Sequence, residues 1–359
     1  MYSRLHVRPN CAARTVVADI RPIVDISERV GMPIEVAAFI GSSPVRRFAE
    51  GWTLEYLEKC TEEAVAFAVG EGLPVTYVTE DTTRADPETI RALYLTAIRA
   101  GATRVCVADT VGHATRAGAA AVVRFVAGII AESGAEVGID WHGHRDRDLA
   151  VVNSIAALDA GATRVHAAAL GIGERVGNTP MDLLLVNLVL MGYIEGDLTR
   201  LLEYCLLVGD ACGVTIPPNY PVVGRDAFRT ATGVHAAAVI KAFKKGEHEL
   251  ADMVYSAVPA AMVGREREIE VGPMSGRSNV IYWFRRRALP AAEAIVDEVF
   301  ALPKVLTEEE ILAVVLRVRE PIDGKAVSDR SWLPDSPLVH PLASPPGDGD
   351  QPSMAAKRS

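Results

Sequence analysis

Short apolar runs, rich in β-branched residues or ending in a polar cluster, recur along this chain at residues 5–7, 34–40, 75–78, 104–108, 137–141 and 164–168, with helical patterns between them. Strand alternating with helix restricts the fold to parallel β/α units, because parallel neighbours need a long crossover that a helix fills. The helical stretches carry matching start and stop signals. Thr53 precedes Leu54, Leu57, Ala64, Val65 and Ala68 at helical spacing, and Gly70 and Gly72 follow. Asp86-Pro87-Glu88 places a cap, a first-position proline and a first-turn acid before Ile90, Leu93, Tyr94 and Ile98. The segment Ala-Gly-Ala-Thr-Arg occurs twice, at residues 100–104 and 160–164, each time leading from a helix into a strand. That repeat argues for one repeated architecture.

From about residue 197 the rhythm changes to helical and mixed segments with a proline-rich connector at residues 216–221. The organisation expected is a barrel-type domain over residues 1–195, an accessory, mostly helical region over 196–330, and a Pro/Gly-rich disordered tail over 331–359. With 359 residues, 49% of them hydrophobic, the chain has material for a large core. A net charge of −9 gives no reason to expect nucleic acid as a partner. Cys11, Cys60, Cys106, Cys205 and Cys212 are odd in number and lack any C-x-x-C pair, so they read as reduced core thiols of a cytoplasmic protein. No leader-like segment follows Met1 and no apolar run is long enough to span a bilayer.

In parallel α/β folds ligands bind outside the carboxyl ends of the strands, and polar clusters sit there in this chain. They are Glu80-Asp81-Thr82-Thr83-Arg84, Asp109-Thr110-Val111-Gly112, His142-Gly143-His144-Arg145-Asp146 and residues 171–178. Side chains two apart on a strand face the same way, so His142 and His144 can reach one divalent ion; the bland alternative is two polar residues at a strand end. Asp109 reads as either a helix cap or a catalytic acid, and Glu80 and Asp81 as helix caps, partners of Arg84 or acid/base groups. The glycines of residues 171–178 lack dinucleotide spacing; they let a loop approach closely, with Asn178 offering a carbonyl oxygen as a hard ligand. His6, His113, His166 and His248 lack such company and read as structural or exposed.

At these four motifs the sequence resembles the metal-dependent Claisen-condensing enzymes of the 2-isopropylmalate synthase and homocitrate synthase family, which are grouped with hydroxymethylglutaryl-CoA lyase and the pyruvate carboxyltransferase domain. The likeness extends more weakly to Thr232-Gly233-Val234-His235, Val263-Gly264-Arg265 and Met274-Ser275-Gly276-Arg277. It implies a TIM (β/α)8-type barrel, with His142, His144 and Asn178 as metal ligands and Glu80 and His235 as proton-transfer groups. Thr110, with Arg84 and Arg145, is expected on the substrate. The implied reaction condenses acetyl-CoA with a 2-oxo acid, with Mg²⁺, Mn²⁺ or Zn²⁺ polarising the carbonyl, in amino-acid biosynthesis such as that of leucine. A homodimer with no membrane partner is expected.

Two departures stand out. Arg145 occupies a position where the family usually has Asn, and the family's opening Asp-Arg-Glu strand has no counterpart in this chain. The expectation is a barrel missing its first two β/α units, with about six recognisable. Two alternatives follow: a hydroxymethylglutaryl-CoA-lyase-like carbon–carbon lyase, or an inactive chain begun at an internal Met1.

Overall fold

Residues 7–289 and 291–323 are described by the computed structural model. Six strands make one parallel sheet: β1 (Asn10–Arg14), β2 (Glu35–Gly41), β3 (Val75–Glu80), β4 (Arg104–Asp109), β5 (Gly138–Gly143) and β6 (Arg164–His166). Their order in the sheet is their order in the chain. A doubly wound sheet reverses direction at a switch point, whereas this one never does, so its winding is that of a barrel.

One ion pair shows the curvature. Arg164 on β6 places Nη1 2.8 Å from Glu35 Oε2 on β2. The two strands are four places apart, which at about 4.8 Å per strand would be about 19 Å in a flat sheet, beyond the reach of two side chains. The six strands therefore curl into a half-barrel, with β1 and β6 as its edges among the described residues.

The alternation of side chains gives the sheet two different faces. Val36, Ala38, Ile40, Val75, Tyr77, Val105, Val107, Ile139 and Trp141 point outward into one core with the helices. Glu35, Thr76, Arg104, Asp140 and Arg164 point inward, where they bond to one another across the concave face. The helices begin where the caps lie. Thr53 Oγ1 accepts from Tyr56 N at 3.2 Å at the start of Leu54–Gly70, and Asp86 Oδ1 accepts from Thr89 N at 2.8 Å at the start of Pro87–Arg99. Both Ala-Gly-Ala-Thr-Arg segments make the same turn. Ala102 N and Ala162 N bond back to Ala97 and Ala157, while Thr103 N and Thr163 N hook onto Val75 and Ile139 of the preceding strand.

Some sequence expectations shift. The first strand is Asn10–Arg14 rather than residues 5–7, of which 5 and 6 lie outside the described residues and Val7 is exposed coil. Pairing with Glu35–Phe39 selects that register, overriding the weak β preference of Asn-Cys-Ala-Ala-Arg. The last strand stops at His166, because Ala168 N turns away to Thr179 O. The helical pattern expected from about residue 197 begins with the helix Leu201–Cys212. All five cysteines are free, but only Cys106 and Cys205 are buried; Cys60 is half-buried, and Cys11 and Cys212 are exposed, one on an edge strand and one at a helix end.

By internal contacts the chain divides into two compact units. Of the described residues, one gathers those up to Phe228 with Ser256–Glu266; the other gathers Arg229–Tyr255 and those from Arg267 on. The second unit holds a two-stranded parallel sheet, β7 (Arg229–Thr230) with β8 (Glu268–Ile269), and the helices Gly233–Lys244, His248–Met253, Arg277–Arg286, Glu293–Phe300 and Glu308–Asp323. Val280, Phe284, Val296, Ile311 and Val315 are among its core residues. The tail expected to be disordered, residues 331–359, lies outside the described residues. No described helix is long and apolar enough to cross a membrane.

Candidate active site at the carboxyl ends of the strands

His142 projects inward from β5, and His144 follows it just beyond the strand. Their Nε2 atoms converge to 3.1 Å, with the rings at 78°. Burial pushes the His142 imidazole down to about 3, with the nearby His166 and His144 rings acting the same way. Burial, then Arg175, lowers His144 too. Both rings are therefore neutral at neutral pH, the form that ligates a metal.

The loop of residues 171–178 lies against this pair. Its backbone is pinned by Arg145 N to Gly177 O (3.1 Å), Thr179 N to Gly143 O (2.9 Å) and Asn178 N to Gly171 O (2.8 Å). Asn178 pairs with His144 in an isolated antiparallel bridge. Its Nδ2 donates to Ile172 O at 2.9 Å, which leaves Oδ1 buried without a partner, as is His144 Nδ1. Gly177 has φ +108, and a Cβ there would overlap the carbonyl oxygen of Gly171, so only glycine lets the loop close this tightly. Asp182, fully buried, accepts from Leu170 N at 2.7 Å and holds the turn from which the loop departs.

An unpartnered buried acceptor, Asn178 Oδ1, beside two convergent neutral imidazoles fits part of a divalent-ion shell. Two nitrogens bound at about 2.1 Å in neighbouring positions would themselves sit about 3 Å apart. Among the described residues no group of three or more His, Cys, Asp or Glu side chains converges on such a point, so the donors present are His142, His144 and the Asn178 amide oxygen.

Glu80 faces inward at the end of β3, half-exposed. Its carboxylate lies 3.8 Å from Arg46 Nε, and its carbonyl accepts from Ser42 N and Ser42 Oγ. Thr110 Oγ1 accepts from Asp81 N at 2.8 Å. Arg84 is tied to Asp81 by three hydrogen bonds of 2.6–3.0 Å. Arg145 passes beneath the loop beside Gly171 and Gly177, 3.3 Å from Asp148. Asp109 is fully buried and accepts from Thr83 Oγ1, His113 N and Ala114 N, the arrangement of a loop cap. His235 lies in the second unit, exposed at the start of Gly233–Lys244, its ring 4.0 Å from that of Tyr255. The structure thus gathers Glu80, Thr110, His142, His144 and Asn178 at the strand ends of the first unit.

Three residues at this site carry no role in the sequence reading. His166 is the register partner of His142, their rings are 5.6 Å apart, and its Nε2 lies 2.9 Å from Asp140 Oδ2. Its company comes from the neighbouring strand, and only its alternation with Arg164 signals an inward face. Arg175 binds Asp146 through two nitrogens and donates to Thr110 O at 2.7 Å, tying three strand-end loops together. Arg46 lies over Gly41, where a Cβ would collide with it.

A singly wound, curled parallel sheet with polar loop clusters beyond the carboxyl ends of its strands defines a TIM-barrel-type domain. Residues 3–207, more than half of the chain, match the HMGL-like family model, and the chain belongs to that family. It is 33% identical over 307 residues to a protein of Ignicoccus hospitalis named a probable 2-isopropylmalate synthase, covering 82% of this chain and 74% of that one. It is 32% identical over 317 residues to a homocitrate synthase of Methanopyrus kandleri, covering 86% and 74%. Of other relatives it spans little more than half the length, for example 56% of a probable 2-isopropylmalate synthase of Methanopyrus kandleri. In structure it is similar to the HMG-CoA lyase of Bacillus subtilis, with a TM-score of 0.50 at 18% identity over 60% of this chain and 74% of that one, a likeness of fold.

Proposed function

We propose that this chain is an acyltransferase of the 2-isopropylmalate and homocitrate synthase type, condensing acetyl-CoA with a 2-oxo acid in the presence of a divalent metal. The observation that carries the reading is the His142–His144 pair, its Nε2 atoms 3.1 Å apart beside the unpartnered Asn178 Oδ1. Relatives at 32–33% identity named as such synthases support it.

His142, His144 and Asn178 would hold Mg²⁺, Mn²⁺ or Zn²⁺, which when bound polarises the carbonyl of the 2-oxo acid. Glu80, inward and reachable by solvent, takes the proton from the methyl group of the acetyl thioester. Thr110, already bonded to Asp81 N, orients the acid through its hydroxyl. Arg175 holds the loops after β4, β5 and β6 in mutual register so that these groups face one centre. Hydrolysis of the thioester then makes the condensation irreversible.

The test is to incubate the protein with acetyl-CoA, a panel of 2-oxo acids and Mg²⁺ or Mn²⁺, and to follow free thiol. Metal-dependent release that requires an acid is the expected result. Cleavage of hydroxymethylglutaryl-CoA without condensation would favour the lyase reading, which the HMGL-like family match and the likeness of fold also suit. Absence of both activities and of metal binding would leave a binding partner rather than an enzyme.

A further inference from the structure

Arg145 is set apart from the other arginines of the strand-end loops. Arg84 is held by Asp81 through three hydrogen bonds, and Arg175 by Asp146 through two nitrogens. The Arg145 guanidinium makes no hydrogen bond to any described residue; its ion pair is with Asp148 at 3.3 Å, and Asp148 is 84% exposed. A pair that open to solvent contributes little. The Arg145 side chain is nevertheless mostly buried, because it runs under the loop of residues 171–178. Nη1 lies 3.2 Å from where a Cβ on Gly171 would stand, and Cδ 3.7 Å from where one on Gly177 would. A cation lodged there without hydrogen bonds is costly unless a nearby charge offsets it.

Asp182 supplies that charge. It is fully buried, and its Oδ1 accepts from the amide of Leu170, the residue before Gly171. Its Oδ2 is buried without a hydrogen bond. Burial pushes this carboxyl up, and Arg145 is the cation that pulls it back. Short links carry the effect from Asp182 to the site. Leu170 has φ +58, a left-handed conformation that leucine keeps only when it is held there. Gly171 follows at φ +66, and its carbonyl accepts from Asn178 N at 2.8 Å. Asn178 in turn carries the unpartnered Oδ1 beside the two imidazoles.

We propose that Arg145 is a positioning residue: lodged beneath the loop as counter-ion to the buried Asp182, it keeps the Leu170–Gly171 turn in place and so holds Asn178 against the His142–His144 pair. The proposal rests on the metal site argued above and gives Arg145 a role other than contact with the substrate. It is tested on the intact protein by Mn²⁺ titration calorimetry, by hydrogen exchange of peptides spanning residues 171–178, and by binding of pyruvate in the presence of Mn²⁺. Arg145→Met should weaken Mn²⁺ binding about tenfold and speed exchange in the loop, with the fold retained by circular dichroism. Adding Asp182→Asn should return both toward wild type, because the amide still accepts from Leu170 N and no uncompensated buried charge remains. Loss of packing alone would not be repaired in that way. Unchanged loop exchange in Arg145→Met, or a double variant no better than the single one, overturns the inference. So does loss of pyruvate binding with Mn²⁺ affinity intact, which would place Arg145 on the substrate. Faster loop exchange in Arg145→Met, restored in the double variant, with no Mn²⁺ bound by the wild-type protein leaves the support role standing and overturns the metal reading.

Discussion

Replacing Arg164 by Met removes the side chain that joins β6 to β2 across the half-barrel. Its main partner, Glu35, is 11% exposed and ionises at about 2 instead of its ordinary 4.5. Burial pushes that carboxyl up, but hydrogen bonds from Arg164, Thr76 and Asn10 more than offset it, and Arg164 contributes most. A carboxyl shifted that far stabilises the folded chain by about 3 kcal/mol when ionised. Arg164 is itself about one-third exposed, so solvent screens part of its share, and about 2 kcal/mol is expected from its loss. For a unit of this size that is a fall in Tm of roughly 4–8 °C, readable by circular dichroism at pH 7. The sign with pH follows from the depressed value. The stabilisation is complete above about pH 4.5 and is lost as pH falls toward about 2, so the gap between wild type and variant should close over that range. Adding Glu35→Leu to Arg164→Met should recover part of the loss, because the buried anion left without its guanidinium is then removed. An unchanged Tm at pH 7, or a deficit as large at pH 2 as at pH 7, would refute the electrostatic account of the curl.

Other perturbations probe the site and its supports. His142→Ala and His144→Ala should each weaken metal affinity at least about tenfold in calorimetry with the fold retained, since the ligands present are few. Gly177→Ala should displace the loop of residues 171–178, because its Cβ would overlap Gly171 O and φ is +108; a loss of about 2 kcal/mol or more and weaker metal binding are expected. Asp86→Ala removes the acceptor for Thr89 N and should cost about 1 kcal/mol in urea denaturation, leaving metal affinity untouched.

Much of the site was legible before any coordinates because its parts are local. Two histidines separated by one residue share a face if they lie on a strand; β5 ends at Gly143, yet His144 just beyond it still brings its Nε2 to 3.1 Å from that of His142. Thr53 and Asp86 announced helix starts through side chains that bond three residues on. The roles that escaped were non-local. His166 stands in a sequence with no polar neighbour but Arg164, and it becomes the neighbour of His142 only through the β5–β6 register. Arg46, one of two consecutive arginines, covers the concave face because Gly41 has no side chain in its way. Asp109 could be cap or acid by sequence; the backbone amides of His113 and Ala114 made it a cap.

By itself the sequence determined the β/α repeat, the polar strand ends and the family, since periodicity, caps and contiguous motifs are written along the chain. What only the tertiary structure decided is which strands stand opposite one another. Six β/α units are compatible with an open, doubly wound sheet or a curled, singly wound one. The choice appears only when Arg164 meets Glu35, a contact 129 residues apart in the chain. From that curl follow the concave face, the pairing of its charges and the convergence of Glu80, His142, His144 and Asn178. Side-chain alternation is a property of each strand, but what it faces is a property of the sheet.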